Sequence, residues 1–156
     1  MTSAYAGLVT RAIAFSLDAL VVNLTGVVVG VVVGLAVSVL NTPEETDKIL
    51  LAVGSVLFVA WTVAYFVFFW STTGQTPGNR LMRIRVRAAE EDVPLRPRRA
   101  LVRLAGLVLA AVPLLLGFVP ILVDSRRRGL QDFLARSVVV FEPVGPGGRD
   151  VAAALR

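Results

Sequence analysis

The chain has 156 residues, 56% of them hydrophobic and 17% charged, whereas an average soluble domain carries about 25% charged residues. It contains no Cys and no His, which excludes disulfides, thiol chemistry, Cys/His metal sites and His-based acid–base catalysis; no enzyme, cofactor or metal is expected. The net charge is +5, carried almost wholly by arginine, with Lys48 the only lysine; with no aromatics interleaved among the charges and no recognition motif, nucleic acid is not an expected partner.

Residues 12–40 form the first apolar run, interrupted by Asp18 and a few small polar residues. A bilayer crossing needs about 20 residues of helix, and a cleavable signal peptide has only about 7–15 apolar residues, so the run is expected to stay as an anchor. Valine favours strands in water, but an isolated strand in lipid leaves its backbone unpaired; the run reads as a helix. Arg11 and Asp18 are seven residues apart, which puts them within about 20° of one face and about 10 Å apart along the axis. An ionisable group inside a span is costly and usually functional. Two readings of this intramembrane polar site stand: a carboxylate that takes a proton or cation, with Arg11 tuning it, or a structural ion pair or clasp onto cytoplasmic arginines. Further along, Gly26, Gly30 and Gly34 recur every four residues, a stripe that lets a second helix backbone approach closely.

Residues 41–48, "NTPEETDK", form a short loop whose Glu44, Glu45 and Asp47 read as an ordinary acidic turn, and residues 49–70 form a second, uncharged span. The region 71–103 then carries eight arginines, at 80, 83, 85, 87, 96, 98, 99 and 103. The positive-inside rule puts it in the cytoplasm, together with the N-terminus, and puts "NTPEETDK" outside. Within it, Pro77-Gly78 signals a turn. A strand is expected to follow, with Arg83, Arg85 and Arg87 on one side and Met82, Ile84 and Val86 on the other.

A third apolar segment, residues 104–123, holds Pro113, Gly117 and Pro120. Each proline removes a helical hydrogen bond. A simple crossing would carry Arg126, Arg127 and Arg128 outside, so a re-entrant or kinked segment that returns to the cytoplasm is expected; full crossing is the alternative. Residues 125–135 read as a short amphipathic helix in which Arg128 and Arg136 flank Asp132 at four residues either side. "SVVVFEP" reads as a second strand that pairs with the first on the helix ends. Arg80, Arg83, Arg85 and Arg87 with Arg126–128 then form a basic cytoplasmic face, set against anionic headgroups or simply solvated.

The expected fold is an all-α integral membrane protein: two transmembrane helices, a Pro-broken third segment and a small cytoplasmic β-hairpin over residues 1–142, with a flexible tail over 143–156. Four blocks in order, "RAIAFSLDAL", "GQTPGNRLMRIRV", "RRALVR" and "DSRRRGLQDFLARSVVV", resemble the RDD family of small prokaryotic membrane proteins, named for one arginine and two aspartates. The resemblance assigns the arginine to Arg11, the first aspartate to Asp18 and the second to Asp132, with Asp124 as second choice. The family often has Leu-His-Asp where this chain has Leu130-Gln131-Asp132, and Lys where it has Asn79, so a role for a titrating histidine does not carry over. The resemblance implies a multi-pass protein of the prokaryotic plasma membrane with a transport-related role, moving a small cation, a proton or an unidentified solute. Two full helices and a broken one do not enclose a path alone, so a homo-oligomer or another membrane protein is the expected partner. The alternative is a non-transporting scaffold or accessory subunit that presents the basic platform.

Overall fold

A computed structural model of the chain describes residues 5–40, 43–91, 93–111 and 116–142. Helices α1 (Leu8–Leu40) and α2 (Glu44–Thr72) are 33 and 29 residues long, about 50 and 44 Å at 1.5 Å per residue, and both are long and apolar enough to cross a membrane. Each packs against protein at one end only. α1 buries Ala14, Asp18 and Val22, and α2 buries Tyr65, Phe66 and Trp70 near its C-terminus. The far halves are bare: Val28, Val32, Leu51 and Val56 are all exposed. Where the helices meet, Phe15 stacks on Phe66 at 5.8 Å between ring centroids, and Phe58 lies over Gly26, where an added methyl would come within 2.5 Å of the ring.

Helix α2 ends at Gly74, whose φ of 71° lies in the left-handed region that glycine enters without penalty and lets its N–H bond back to Phe69 O at 2.9 Å. Thr76 then caps a one-turn helix α3 (Pro77–Leu81), accepting from Asn79 N, and Pro77 brings a φ already suited to a first helical turn. The turn expected at Pro77-Gly78 is therefore a helix start. The strand begins later than expected, at Ile84, after a corner at Arg83.

Strand β1 (Ile84–Ala88) pairs antiparallel with β2 (Ser137–Phe141), Ile84 opposite Phe141 and Ala88 opposite Ser137. Ile84, Val86 and Ala88 point inward, and Arg85 and Arg87 alternate outward. Ala6 N donates to Val139 O at 2.9 Å, tying the residues before α1 to the same sheet. The expected pairing is found as a two-strand sheet, although not as a hairpin closed by one turn, since helices α4 (Pro97–Ala111), α5 (Pro120–Val123) and α6 (Leu130–Ala135) intervene in sequence.

The third segment doubles back. The 3-10 turn Leu116–Phe118 lies against α4, closely enough that a methyl on Gly117 would fall 2.5 Å from Ala110. Helix α6 then runs beside α4 with Gly106 against the backbone of Gln131. Pro120 opens α5; Pro113 lies outside the described residues, as does the tail 143–156. The core sits between the sheet and the packed ends of α1 and α2, where Ile84, Val86, Leu95, Val139, Phe66 and Trp70 are buried.

Candidate functional site

Two buried carboxylates organise this end of the molecule, by opposite means. Asp18, on the inner face of α1, is 2% exposed. Its Oδ1 accepts from the Tyr65 hydroxyl at 3.0 Å and from Gly78 N at 2.8 Å, and its Oδ2 accepts from the Thr76 hydroxyl at 2.5 Å. All three donors are neutral. The "TPG" stretch is built for this contact. The Thr76 Oγ1 donates to Asp18 while accepting from Asn79 N at 3.2 Å, so one hydroxyl both caps α3 and binds α1. Pro77 starts the turn, and Gly78 lets it dock. A methyl at Gly78 would stand 2.1 Å from Ala14 O and 2.9 Å from Asp18 Cγ, so a side chain there would have to displace helix backbone.

Asp132 is fully buried and is held by charge. Arg11 Nη1 donates to its Oδ2 and Arg103 Nη1 to its Oδ1. Gly129 N at 3.0 Å and the Ser137 hydroxyl at 3.1 Å complete the shell. The Gly129 bond runs from the residue before α6 to the third residue of its first turn, one half of a capping box. Arg103 also donates to Ser137 Oγ at 2.6 Å, and its guanidinium lies 5.1 Å from the centre of the Trp70 ring, a cation–π placement. Arg11 spends its other nitrogens on Ala6 O at 3.0 Å and Arg127 O at 2.7 Å. Burial pushes the Asp132 carboxyl up, but the adjacent Arg103 and Arg11 charges overcome this and hold it below the ordinary carboxylate range. The hub joins the chain start, α1, α4, α6 and β2.

These partners correct two sequence expectations. Arg11 and Asp18 share a face of α1 but not a site: the arginine turns to Asp132 and the aspartate to α2 and α3. Arg128 and Asp132 are not a pair either. Arg128 donates through Nε and Nη2 to Asp124 at 3.0 Å each and lies 4.5 Å over the Phe133 ring. Those hydrogen bonds draw the Asp124 carboxyl down to about 2. Asp124 thus belongs to a local loop closure and Asp132 to the hub.

Tyr65, Thr76, Gly78, Arg103 and Ser137 were not singled out from sequence. For Arg103 a signal existed. Ala100, Gly106 and Ala110 make a small-residue helical face, and Arg103 falls on it; all four are buried. An arginine on a buried face requires a carboxylate partner.

The basic residues divide into separate groups. Arg80 and Arg83 are exposed and border a hollow of about 480 Å³ with Phe69, Gln75, Pro77 and Leu81. Arg85 is occupied by Glu142 at 2.5 Å and Gln75 at 3.0 Å, and Arg87 is half-buried on β1. Arg126 and Arg128, with Arg136 and Glu90, border a second hollow of about 250 Å³ that reaches Asp132; Arg127 is exposed beside them. In the glycine stripe only Gly26 meets another helix, through Phe58, and a methyl on Gly30 or Gly34 would have open space around it. Among the described residues no cluster of three or more potential metal ligands forms.

The model of the RDD family matches residues 5–136. No curated protein and no solved structure matches the chain.

Proposed function

The chain belongs to the RDD family, and from that premise we propose that it is an integral membrane scaffold, which anchors a basic platform at the cytoplasmic surface and works with a membrane partner rather than as an enzyme. Residues 19–40 and 49–72 are free of charge, and each suffices for the roughly 30 Å hydrocarbon core. Seating residues 19–40 there leaves Asp18 and its partner Tyr65 at the headgroup border, with Trp70 about 7.5 Å beyond along α2, a depth at which Tyr and Trp are enriched. The arginines on and around α3, α4 and α6 favour the cytoplasm for that end, and the pair formed by α4 and the returning turn then dips in and comes back as a re-entrant element.

The observation that carries this reading is the saturation of Asp18. A carrier carboxylate has to exchange its ligand with water. Asp18 instead accepts three protein donors, is sealed to 2% exposure, and lines neither of the two hollows described above. This supports the clasp over transport through Asp18. The test is reconstitution of wild type and Asp18→Asn in liposomes, read by proton and cation flux and by melting temperature. The scaffold reading expects wild-type flux equal to that of protein-free liposomes and a lowered melting temperature in the variant, because the asparagine amide turns a donor toward donors. Wild-type flux abolished by Asp18→Asn at unchanged stability would overturn it.

A further inference from the structure

We propose that the hollow between the end of α2 and the α3–β1 corner is a binding site for the headgroup of an anionic phospholipid, with Arg80 and Arg83 on the phosphate and Phe69, Pro77 and Leu81 on the adjoining apolar part. The inference rests on the membrane reading above for the depth of the site.

The lining is of one sign. Its two charged residues are both arginines, and the remaining four are Phe69, Gln75, Pro77 and Leu81. Glu142, the carboxylate next to Gln75, is already taken by Arg85 at 2.5 Å. The second hollow differs in this respect, because it includes Glu90 and Asp132 among its arginines. Guanidinium groups match phosphate oxygens in shape as well as charge.

The apolar half separates a lipid from a free anion. Leu81 is 71% exposed although it ends a helix whose neighbours Gly78 and Asn79 are buried. A leucine held out beside two cations is poorly suited to inorganic phosphate and well suited to a glycerol backbone and the start of an acyl chain. Phe69 lies in the last turn of α2, about 4.5 Å of helix rise before its end, so the hollow opens where the hydrocarbon gives way to headgroups. The corner also carries a conformational cost. Arg83 has a φ of 52°, which glycine or asparagine adopts more readily, and its placement there sets the guanidinium on the rim.

The test uses the full chain in nanodiscs of equimolar phosphatidylglycerol and phosphatidylcholine, with lipids that stay bound after detergent extraction counted by native mass spectrometry. At the strength typical of juxtamembrane cations, two guanidiniums enrich phosphatidylglycerol roughly thirtyfold over phosphatidylcholine in the retained population. The Arg80→Gln/Arg83→Gln double variant should bring the ratio near one, while Arg126→Gln/Arg127→Gln keeps it. Both doubles alter exposed side chains and should melt with the wild type in phosphatidylcholine alone. Inorganic phosphate should not displace the retained lipid. Equal retention by wild type and the Arg80/Arg83 double, or displacement by phosphate, would overturn the lipid site. A chain that stays soluble and monodisperse without detergent would instead overturn the membrane reading beneath it.

Discussion

The acid at position 132 is the residue on which most of the packed end depends. Two guanidiniums, one amide and one hydroxyl converge on it and leave it fully buried. Removing one partner of a buried ion pair costs about 3–5 kcal/mol, because the other charge is left without compensation. Asp132→Asn strands two arginines at once, so its unfolding free energy in detergent should fall by at least that amount. The pH dependence has a defined sign. The folded pKa of Asp132 is depressed relative to an unfolded value of about 3.9. Its contribution is therefore complete above that value and is lost as pH falls through the lower folded one. Asp124, held at about 2 by Arg128, adds to the same window. The melting temperature should be flat from neutral pH to about 5 and drop below about 4, and the drop should shrink in Asp132→Asn. A flat profile in wild type through that window would contradict the hub. At this scale an ionisable group inside an apolar span marked Asp18, with Arg11 on the same face, and the family resemblance marked Asp132. The sequence did not reveal their pairing. Periodicity reports what shares a face of one helix, and the side-chain partners that matter most, Tyr65 and Thr76 for Asp18 and Arg103 and Arg11 for Asp132, lie 29 to 121 positions away.

The elements show a different balance. The alternation in β1 and the β-branched run in β2 were readable, because a strand half-buried on a core repeats every second residue. Their pairing across the third apolar segment and a short helix was readable too, because both strands were expected on the same side of the membrane. Helix α3 was read as a turn, although Thr76-Pro77 is a helix-start signature; the Thr76 side chain is what commits the chain, by capping α3 and binding Asp18 together. Docking of α3 on α1 then depends on Gly78. The added methyl of Gly78→Ala would meet the Ala14 carbonyl at 2.1 Å, and overpacking of that kind costs about 1–3 kcal/mol. The melting temperature should fall, and Tyr65 fluorescence should change as the Asp18 shell opens. Unchanged stability in Gly78→Ala would mean that α3 does not rest on α1 as described. The glycine stripe divides at the same scale: Gly26 answers to Phe58, whereas Gly30 and Gly34 meet open space.

For the whole molecule, both buried carboxylates serve one topology. Asp132 can meet Arg11 and Arg103 only if the chain before α1, the start of α4 and the start of α6 lie together. In the membrane arrangement proposed above, the third apolar segment then returns to the side from which it left. The arginines on its two flanks argue for that return, and the packing of the 3-10 turn and α6 against α4 supports it. The natural chain has no cysteine, so single cysteines introduced at Glu45, Glu91 and Arg126 report position without background. Labelling with a membrane-impermeant maleimide, in right-side-out and inverted vesicles, should find Glu91→Cys and Arg126→Cys on the same, cytoplasmic side and Glu45→Cys on the opposite one. Arg126→Cys labelled on the side of Glu45→Cys would contradict the account at its centre.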